Sequence, residues 1–347
     1  MSTCPILSRT PAGAVVRSGL GAAIVALIVI GIQAPARAQW PERPIEVSCF
    51  AAAGGGTDLV NRAVGSALEK VLGVKVNVVN RTGGGGTVAE THVWNMPHDG
   101  YSWVGVAQDI LMVPFMGGFE KTAEEWKWFM VAGAPGVVSA GPGSGIKSLD
   151  DLVAKAKAHP GTLKAAAATT GSLWQSQLLT LEEAGGIELR FLPFQGSHPS
   201  QVAAMTGEVD VVLTSISEQA ELIRGEKLVP LAMMTGRPFD LPGYGTIPGA
   251  GEKWPAISTV PTYQWLGFAV PADIPAHVLA KITDAMGEAV NSPEIKKMAE
   301  DNLLTIYNYS GEKADEVAAE MERIRGWEAF ELGLTTRSPA DFGVPRP

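Results

Sequence analysis

The hydrophobic pattern near the start of the chain predicts a strand, a helix and a second strand. Residues 45–50 read as a strand, with Ile45, Val47 and Cys49 separated by polar residues, and apolar residues then recur at helical spacing over 59–72. Residues 74–80 read as a second strand of the same kind. We expect Thr57 or Asp58 to cap the helix, because either side chain can accept a hydrogen bond from its first turn. A strand, a helix and a strand in succession form a βαβ unit, which predicts a parallel sheet.

The same alternation resumes after residue 148 and predicts a second α/β sheet. Residues 129–139 are mostly apolar, and we predict one strand there that crosses between the two sheets. Residues 236–255 are rich in Gly and Pro, which predicts a long surface loop. A returning strand is predicted over 264–270, followed by helices. These predicted helices cover residues 275–291, 293–301 and 311–333, and those of the second sheet cover 148–158, 173–184, 198–206 and 217–224.

The first 38 residues have the pattern of a secretory signal peptide. Arg9 and Arg17 precede an apolar run over 19–32, and Ala36 and Ala38 form a small-x-small cleavage site. The run is short for a membrane span. We therefore predict cleavage after Ala38 and a periplasmic location for the mature chain.

Charge and cysteine content exclude several classes of function. The chain has 347 residues, with a net charge of −9 that becomes −12 when three arginines leave with the signal peptide. A protein that binds nucleic acid or an anionic membrane would be basic. Cys49 is the one cysteine after the predicted cut, so we expect neither an intrachain disulfide nor a cysteine-based metal site. We predict no cofactor and no metal, and we interpret Cys49 as a small buried hydrophobic residue.

A strand, a Gly/Ser/Thr turn and a helix start recur five times along the chain. Such turns point backbone N–H groups and helix N-termini into the crevice at the strand ends, where they suit an anion. Any one of these turns is also ordinary loop chemistry. The repeated design favours a binding cleft for an acid. The five turns cover residues 54–58, 83–87, 169–173, 194–198 and 214–217.

The motifs of common enzymes are missing from the sequence. Residues 141–148 resemble a phosphate-binding P-loop but fail its spacing, and neither G-x-S-x-G nor H-E-x-x-H occurs. His198 and Asp109 are the residues that an enzyme acting on an organic acid would use as a base. Asp109 either points into the cleft or is solvated. We predict that the protein is not an enzyme, and we keep an enzyme and a ligand-presenting sensor subunit as alternatives.

Three further residues, Trp174, Phe194 and Asp58, have two interpretations each. Trp174 either packs in the core or forms an aromatic wall over a ligand, and Phe194 has the same ambiguity. Asp58 fits a helix cap better than a ligand contact. Gln175 follows Trp174 at a predicted helix start.

An ordered series of motifs resembles the substrate-binding proteins of tripartite tricarboxylate transporters, also called the Bug family. The first three motifs, in chain order, are Pro-x-Arg-Pro-Ile, Ala-Gly-Gly-Gly-Thr-Asp and Asn-Arg-x-Gly-x-Gly-Gly. The resemblance extends over nearly all of the mature chain. The motifs lie at residues 41–45, 53–58, 80–86, 98–101, 148–149, 160–161, 193–197 and 207–210.

This resemblance implies a monomeric periplasmic receptor with the two-lobe periplasmic-binding-protein fold. Each lobe would be a mostly parallel sheet flanked by helices, with an organic carboxylate bound in the cleft and delivered to membrane permease subunits. Lobe one would cover 39–139 and 264–347, lobe two 140–263, with hinges near 133–143 and 258–266. The implied ligand-binding residues are Gly54, Gly55, Gly56, Thr57, Asp58, Gly84, Gly85, Gly86, Gln108, Thr169, Thr170, Gly171, Ser172, Trp174, Gln175, Gln195, Gly196, Ser197, Thr214 and Ser215.

The chain departs from the family pattern at three places that bear on the ligand. Phe50-Ala51-Ala52 replaces Pro-Phe-Pro, Gln175 replaces a common histidine, and Thr214-Ser215 replaces a common Asp-Asn pair. Without that Asp, the sequence shows no obvious partner for an ammonium group. We therefore expect a carboxylate without an amine, and Trp174 favours an aromatic or otherwise apolar acid.

Overall fold

The computed structural model describes residues 40–258 and 264–347, which form thirteen strands and ten helices. Within this part of the chain, no helix is long and apolar enough to cross a membrane. The predicted signal peptide and residues 259–263 of the predicted second hinge lie outside the described residues. The strands are β1 (Ile45–Cys49), β2 (Val76–Asn80), β3 (Ser102–Ala107), β4 (Trp126–Gly133), β5 (Gly136–Ala140), β6 (Lys164–Ala166), β7 (Arg190–Phe191), β8 (Val211–Ser215), β9 (Val229–Met233), β10 (Phe239–Leu241), β11 (Gly245–Ile247), β12 (Leu266–Pro271) and β13 (Thr305–Tyr309).

Most helices lie where the hydrophobic periodicity predicts them, within a few residues at each end. The first of them buries Val60, Val64 and Leu68 and ends at Gly73, which adopts a left-handed conformation with φ of 71°. The helices are α1 (Gly56–Leu72), α2 (Thr87–Trp94), α3 (Leu149–Ala158), α4 (Leu173–Gly185), α5 (Ser197–Thr206), α6 (Ile216–Arg224), α7 (Ala250–Lys253), α8 (Ala276–Val290), α9 (Pro293–Asp301) and α10 (Glu312–Glu331).

The strands form two large sheets and one hairpin. The first sheet has the order β13-β4-β12-β3-β1-β2, and the second has the order β7-β6-β8-β5-β9. We call the part that builds the first sheet lobe one (residues 40–133 and 264–347) and the part that builds the second sheet lobe two (residues 136–258). The predicted two-lobe α/β class is confirmed.

The sheets contain more antiparallel pairing than the mostly parallel sheets that we expected. β1 lies parallel to both β2 and β3, as the βαβ pattern predicts. The returning strand β12 runs antiparallel to β3 and β4, and β5 runs antiparallel to β8 and β9. The antiparallel pairs thus come from the strands that lead from one lobe to the other and back.

The prediction of a single strand over 129–139 is wrong. The structure has two strands there, β4 in the first sheet and β5 in the second, separated by Ala134 and Pro135. Proline has no N–H for a ladder bond, which favours a break at this point. Since β5 belongs to lobe two, the predicted boundary after residue 139 falls inside a strand of that lobe.

Two further regions differ from the prediction. Residues 236–255 contain the antiparallel hairpin of β10 and β11 and the short helix α7, rather than an unstructured surface loop. The strand β13, which pairs with β4 at the sheet edge, was not predicted. Its residues are half-buried or exposed, so its hydrophobic signal is weak.

Helices cover both faces of each sheet and form the hydrophobic cores. In lobe one, α1 and α8 bury apolar residues on one face, while α2 and α10 do so on the other. In lobe two, α5 and α6 cover one face, and α3, α4 and α7 cover the other. This layering leaves the ends of the strands of the two lobes facing each other.

Candidate functional site

A pocket lies between the two lobes, with walls from strand ends and helix starts. Its empty volume, counted together with the space at its mouth that is open to solvent, is about 630 Å³. We call it the interlobe pocket. Lobe one lines it with Phe50, Ala51, Ala52, Gly55, Gly56, Thr57, Thr82, Gly83, Gly85, Gly86, Ala107, Asp109 and Gln264, and lobe two with Ala168, Thr169, Trp174, Gln195, Gly196, Ser197, His198 and Glu218.

The second glycine run gives the pocket a wall that only glycine can form. Gly83 and Gly86 have φ of 132° and 131°, while Gly84 and Gly85 have φ of 56° and 66°. These are left-handed conformations that disfavour other residues. Gly86 precedes α2, and no side chain caps this helix. The backbone is therefore free to approach a ligand closely, as the sequence predicts for this turn.

Lobe two contributes a similar helix start from the opposite side. Gly196 precedes α5 with φ of 116°, and no side chain caps this helix either. No acidic residue lies in its first turn, where His198 is exposed and lines the pocket. The N-terminus of α5 thus keeps the partial positive charge of its helix dipole available to an anion.

The start of α1 differs from the prediction that Thr57 or Asp58 caps it. The helix begins at Gly56, and the capping position is Gly55, which has no side chain to offer. The Asp58 carboxylate turns back and accepts hydrogen bonds from Gly54 N at 3.0 Å and from Arg62. These bonds lower the pKa of Asp58 even though burial acts to raise it. Asp58 therefore holds the loop and does not line the pocket.

A carboxylate from lobe two occupies the first turn of α1. Glu218 Oε1 accepts a hydrogen bond from Gly56 N at 3.0 Å, and Oε2 accepts one from Ser215 Oγ at 2.7 Å. Glu218 is not among the residues predicted to line the site. Its signal was the spacing Ser215-x-x-Glu218, which indicates a capping box at the start of α6 and gives no hint of a contact with the other lobe.

Asp109 points towards lobe two from the end of β3, which settles its ambiguity in favour of the cleft. Its Oδ1 accepts a hydrogen bond from Leu173 N at 2.6 Å and lies 3.7 Å from Arg325 Nη1. Arg325 also donates to the carbonyl oxygens of Gln108 and Gly171. Burial raises the pKa of Asp109, although Arg325 opposes the rise.

The structure brings about half of the predicted residues to the interlobe pocket. A second cavity, with an empty volume of about 940 Å³, adjoins it and is lined by Gly84, Thr170 and Gly171, together with Thr169 and Gln195 of the first. The predicted residues on the wall of the interlobe pocket are Gly55, Gly56, Thr57, Gly85, Gly86, Thr169, Trp174, Gln195, Gly196 and Ser197.

The other predicted residues lie behind these walls and support them. Gln108 is buried, and its Oε1 accepts a bond from Trp265 N. Gln175 Oε1 accepts one from Gly171 N at 2.6 Å, and Thr214 Oγ1 accepts bonds from two glutamine side chains. Ser172 and Ser215 cap α4 and α6. With Gly54 and Asp58, these residues shape the pocket without lining it.

Trp174 packs in the core, as the first of its two interpretations predicts, and it also borders the pocket. It is only 1% exposed. Phe194 lines the adjoining cavity. Gln264 is buried at the pocket wall, and its Oε1 has no hydrogen-bond partner. A bound ligand with a donor would satisfy this atom.

The charged side chains of the lining correct the expectation that the site has no partner for an ammonium group. The charged or titratable side chains among the described lining residues are Asp109, Glu218 and His198, with no lysine or arginine. Carboxylates are therefore present at the pocket, contrary to the expectation that the sequence offers no partner for an ammonium group. Both of them accept hydrogen bonds from backbone N–H groups of the opposite lobe.

The described residues contain neither a cluster that could hold a metal ion nor a reactive thiol. In that part of the chain, no group of three or more His, Cys, Asp or Glu side chains could hold a metal ion. Cys49 is fully buried, as predicted, and burial raises the pKa of its thiol to about 12. Such a thiol is a poor nucleophile.

A pocket between two α/β lobes, walled by glycine turns and helix N-termini, is the arrangement of a two-lobe solute-binding protein. The sequence model of the family named "Tripartite tricarboxylate transporter family receptor" (TctC) matches residues 60–327 of this chain. The chain therefore belongs to this family. The resemblance found in the sequence is thereby confirmed.

Related proteins agree with this assignment. The chain is 27% identical to Protein BugT of Bordetella pertussis over 312 residues, which cover 87% of this chain and 90% of BugT. The periplasmic binding protein BugD shares the fold with a TM-score of 0.74 and 21% identity, over 89% of this chain and 100% of BugD. MatC from Rhodopseudomonas palustris with bound malate has a TM-score of 0.72 and 22% identity, over 81% of this chain and 97% of MatC.

Proposed function

We propose that this protein binds a small organic carboxylate in the interlobe pocket and delivers it to the permease of a tripartite tricarboxylate transporter. The observation that carries this proposal is that two helix starts without a side-chain cap, after Gly86 and Gly196, line the pocket from the two lobes. At the first, Gly86 N and Thr87 N already donate to Gly83 O and Gly84 O, so the start of α5 is the more open of the two. Backbone N–H groups at such starts bind carboxylates without a cationic side chain. Membership of the receptor family and the malate bound to MatC support the same class of ligand.

The ligand would hold the lobes together because it contacts both of them. We propose that its carboxylate binds at the turn of Gly85 and Gly86, and that Thr169, Gln195 and Ser197 contact the rest of it. A ligand that binds both lobes at once stabilises the closed form selectively. Hinges near 133–143 and 258–266 would allow the lobes to separate when the ligand leaves.

We propose an acid without an amine, with Trp174 against its apolar part. Asp109 and Glu218 do not require an ammonium partner, because each already accepts a hydrogen bond from a backbone N–H group of the opposite lobe. We further propose that the protein acts as a monomer in the periplasm, after cleavage of residues 1–38, and binds its ligand without chemical turnover.

Thermal unfolding of the protein against a panel of acids tests this function. The panel contains citrate, L-malate, adipate, benzoate and glutamate, with adipamide as an uncharged control. A ligand at one hundred times its dissociation constant should stabilise the protein by about 2.7 kcal/mol and raise its melting temperature. Adipamide should cause no shift. If adipamide stabilises the protein as well as adipate does, carboxylate recognition is wrong.

A pair of matched variants locates the binding site. Ser197→Ala removes a hydroxyl from the pocket wall, and Ser66→Ala removes one from the exposed face of α1. We expect only the first to weaken the stabilisation by the acid that binds. Product formation from that acid, measured by chromatography, would instead support the alternative of an enzyme, and capture of a signalling protein in place of the permease would support a sensor subunit.

A further inference from the structure

The N-terminus of α1 is occupied by a side chain from the other lobe. Glu218, on α6 of lobe two, reaches across the pocket to Gly56 N, although the two residues are 162 positions apart in the chain. The contact is close, since a Cβ atom at Gly56 would lie 3.3 Å from Glu218 Oε1. A carboxylate of the protein itself therefore lies where a helix N-terminus would bind the carboxylate of a ligand.

Helix α1 has no cap of its own that could take this place. Gly55 at the capping position lacks a side chain, and Asp58 in the first turn is bound to Gly54, Arg62 and Asn80. Without Glu218, the N–H group of Gly56 would be open to the pocket. The 17 residues of α1 add a helix dipole that favours an anion at this end.

Glu218 keeps a second set of bonds that does not involve lobe one. Its Oε2 accepts hydrogen bonds from Ser215 Oγ at 2.7 Å and from Ser215 N at 3.3 Å. These bonds form the capping box of α6. An external carboxylate can therefore displace Oε1 from Gly56 without breaking the cap that orders α6.

The pocket has no cationic side chain among its described lining residues that would let two carboxylates bind together at the start of α1. Among its described lining residues there is no lysine or arginine that would neutralise a second negative charge. Two like charges a few ångströms apart in a partly buried site repel each other. A second carboxylate of a ligand, beside the one proposed to bind at Gly85 and Gly86, must therefore compete with Glu218 for the start of α1.

We propose that Glu218 is a built-in competitor that lowers the affinity of the interlobe pocket for carboxylates and so determines which acids it accepts. An acid binds only when its interactions with both lobes outweigh the contact between Glu218 and Gly56. This proposal rests on the proposed function, because it assumes that the pocket binds an acid.

Two substitutions at this position and one control test the proposal. Glu218→Ala removes both the charge and the contact with Gly56. Glu218→Gln removes the charge, and it preserves the capping box because Gln serves at that position as Glu does. Glu208→Gln makes the same change of charge at an exposed site of lobe two. Circular dichroism and thermal unfolding establish that each variant is folded.

Titration calorimetry with citrate, L-malate, adipate and glutamate gives the dissociation constants. For the acid that binds, we expect about tenfold tighter binding to Glu218→Ala, the size of a favourable helix-terminus charge interaction. Glu218→Gln should bind more tightly than the wild type but less tightly than Glu218→Ala, and Glu208→Gln should match the wild type.

Other results would overturn the proposal in distinguishable ways. If the wild type binds an acid and both Glu218 variants bind it no more tightly than the wild type does, the competing role of Glu218 is wrong. The proposed function would still stand in that case. Loss of glutamate binding in Glu218→Gln would mean that Glu218 binds an ammonium group, which also overturns the competing role. If no acid binds to the wild type or to any variant, the proposed function fails as well.

Discussion

Asp109 in lobe one accepts a hydrogen bond from the backbone N–H of Leu173 in lobe two, with 2.6 Å between Oδ1 and N. Leu173 is the first residue of α4, so the carboxylate lies at the N-terminus of that helix. Glu218 makes the converse contact with the first residue of α1. Each lobe thus places one carboxylate at a helix N-terminus of the other, and the two contacts flank the pocket.

The first prediction concerns the buried pair of Asp109 and Arg325. Their side chains are 13% and 2% exposed, so removal of one partner leaves a buried charge without compensation. We expect Asp109→Ala and Arg325→Met each to lower the free energy of unfolding by about 3–5 kcal/mol. The double variant should lose less than the sum of the two, and urea denaturation measures all three.

A surface ion pair provides the control for these three variants. Lys75 pairs with Glu69, and the lysine side chain is 72% exposed. Lys75→Met should cost at most about 1 kcal/mol, because exposed pairs are weak. Additive losses at Asp109 and Arg325 would show that the two charges act independently, contrary to the prediction.

The second prediction is a loss of stability between about pH 4.5 and pH 8 that depends on Glu322. Burial raises the pKa of this carboxyl group to about 8; the N–H group of Ala123 opposes the rise, and Glu124 and Glu125 add to it. Since the folded protein keeps the proton that the unfolded chain has lost, its stability falls as pH rises from about 4.5 to 8. The slope is at most about 1.4 kcal/mol per pH unit for one group.

Glu322→Gln should flatten this dependence. The amide oxygen still accepts the bond from Ala123 N, and the variant never ionises. We expect it to match the wild type near pH 5 and to be more stable at pH 8, measured by urea denaturation at both values. Glu316→Gln, an exposed change on the same helix, is the control. A wild type and a Glu322→Gln variant with parallel pH profiles would contradict the assignment.

The third prediction contrasts two glycines. A Cβ atom at Gly133 would lie 1.7 Å from the backbone oxygen of Gln264, two residues before β12. A Cβ atom at Gly287, inside α8, would meet nothing within 4 Å. We expect Gly133→Ala to destabilise the protein by about 3 kcal/mol or more. Gly287→Ala should stabilise it by about 0.5–1 kcal/mol, since alanine favours a helix.

Thermal unfolding of the two alanine variants decides this contrast. The Gly133 variant should also bind ligand less tightly, because Gln264 lines the interlobe pocket. Equal melting temperatures for the two variants would mean that the strands β4 and β12 adapt to the added methyl group.

The features that sequence predicted well are encoded locally. The βαβ unit follows from the periodicity of apolar residues over 45–80, and the wall of Gly83–Gly86 follows from four glycines after a strand. A turn that needs positive φ at successive positions can be read from the residues themselves. The burial of Cys49 follows in the same way from its place in an apolar strand.

The features that sequence reasoning missed depend on contacts between distant residues. Thr57 and Asp58 have the chemistry of helix caps, but Asp58 is engaged by Arg62 and Asn80, and the helix starts before them. Glu218 reads as part of a local capping box, and its approach to Gly56 depends on how the lobes are placed. Tertiary geometry decides such contacts, which no spacing along the chain reveals.

The register between β4 and β12 determines how lobe two is attached. Ala132, next to the last residue of β4, pairs with Leu266, the first residue of β12. The chain therefore leaves lobe one and returns to it at neighbouring points of one sheet. In engineering terms, residues 134–263 form a cassette with adjacent ends, so the corresponding segment of a relative can be grafted in their place while every strand of the host sheet stays continuous.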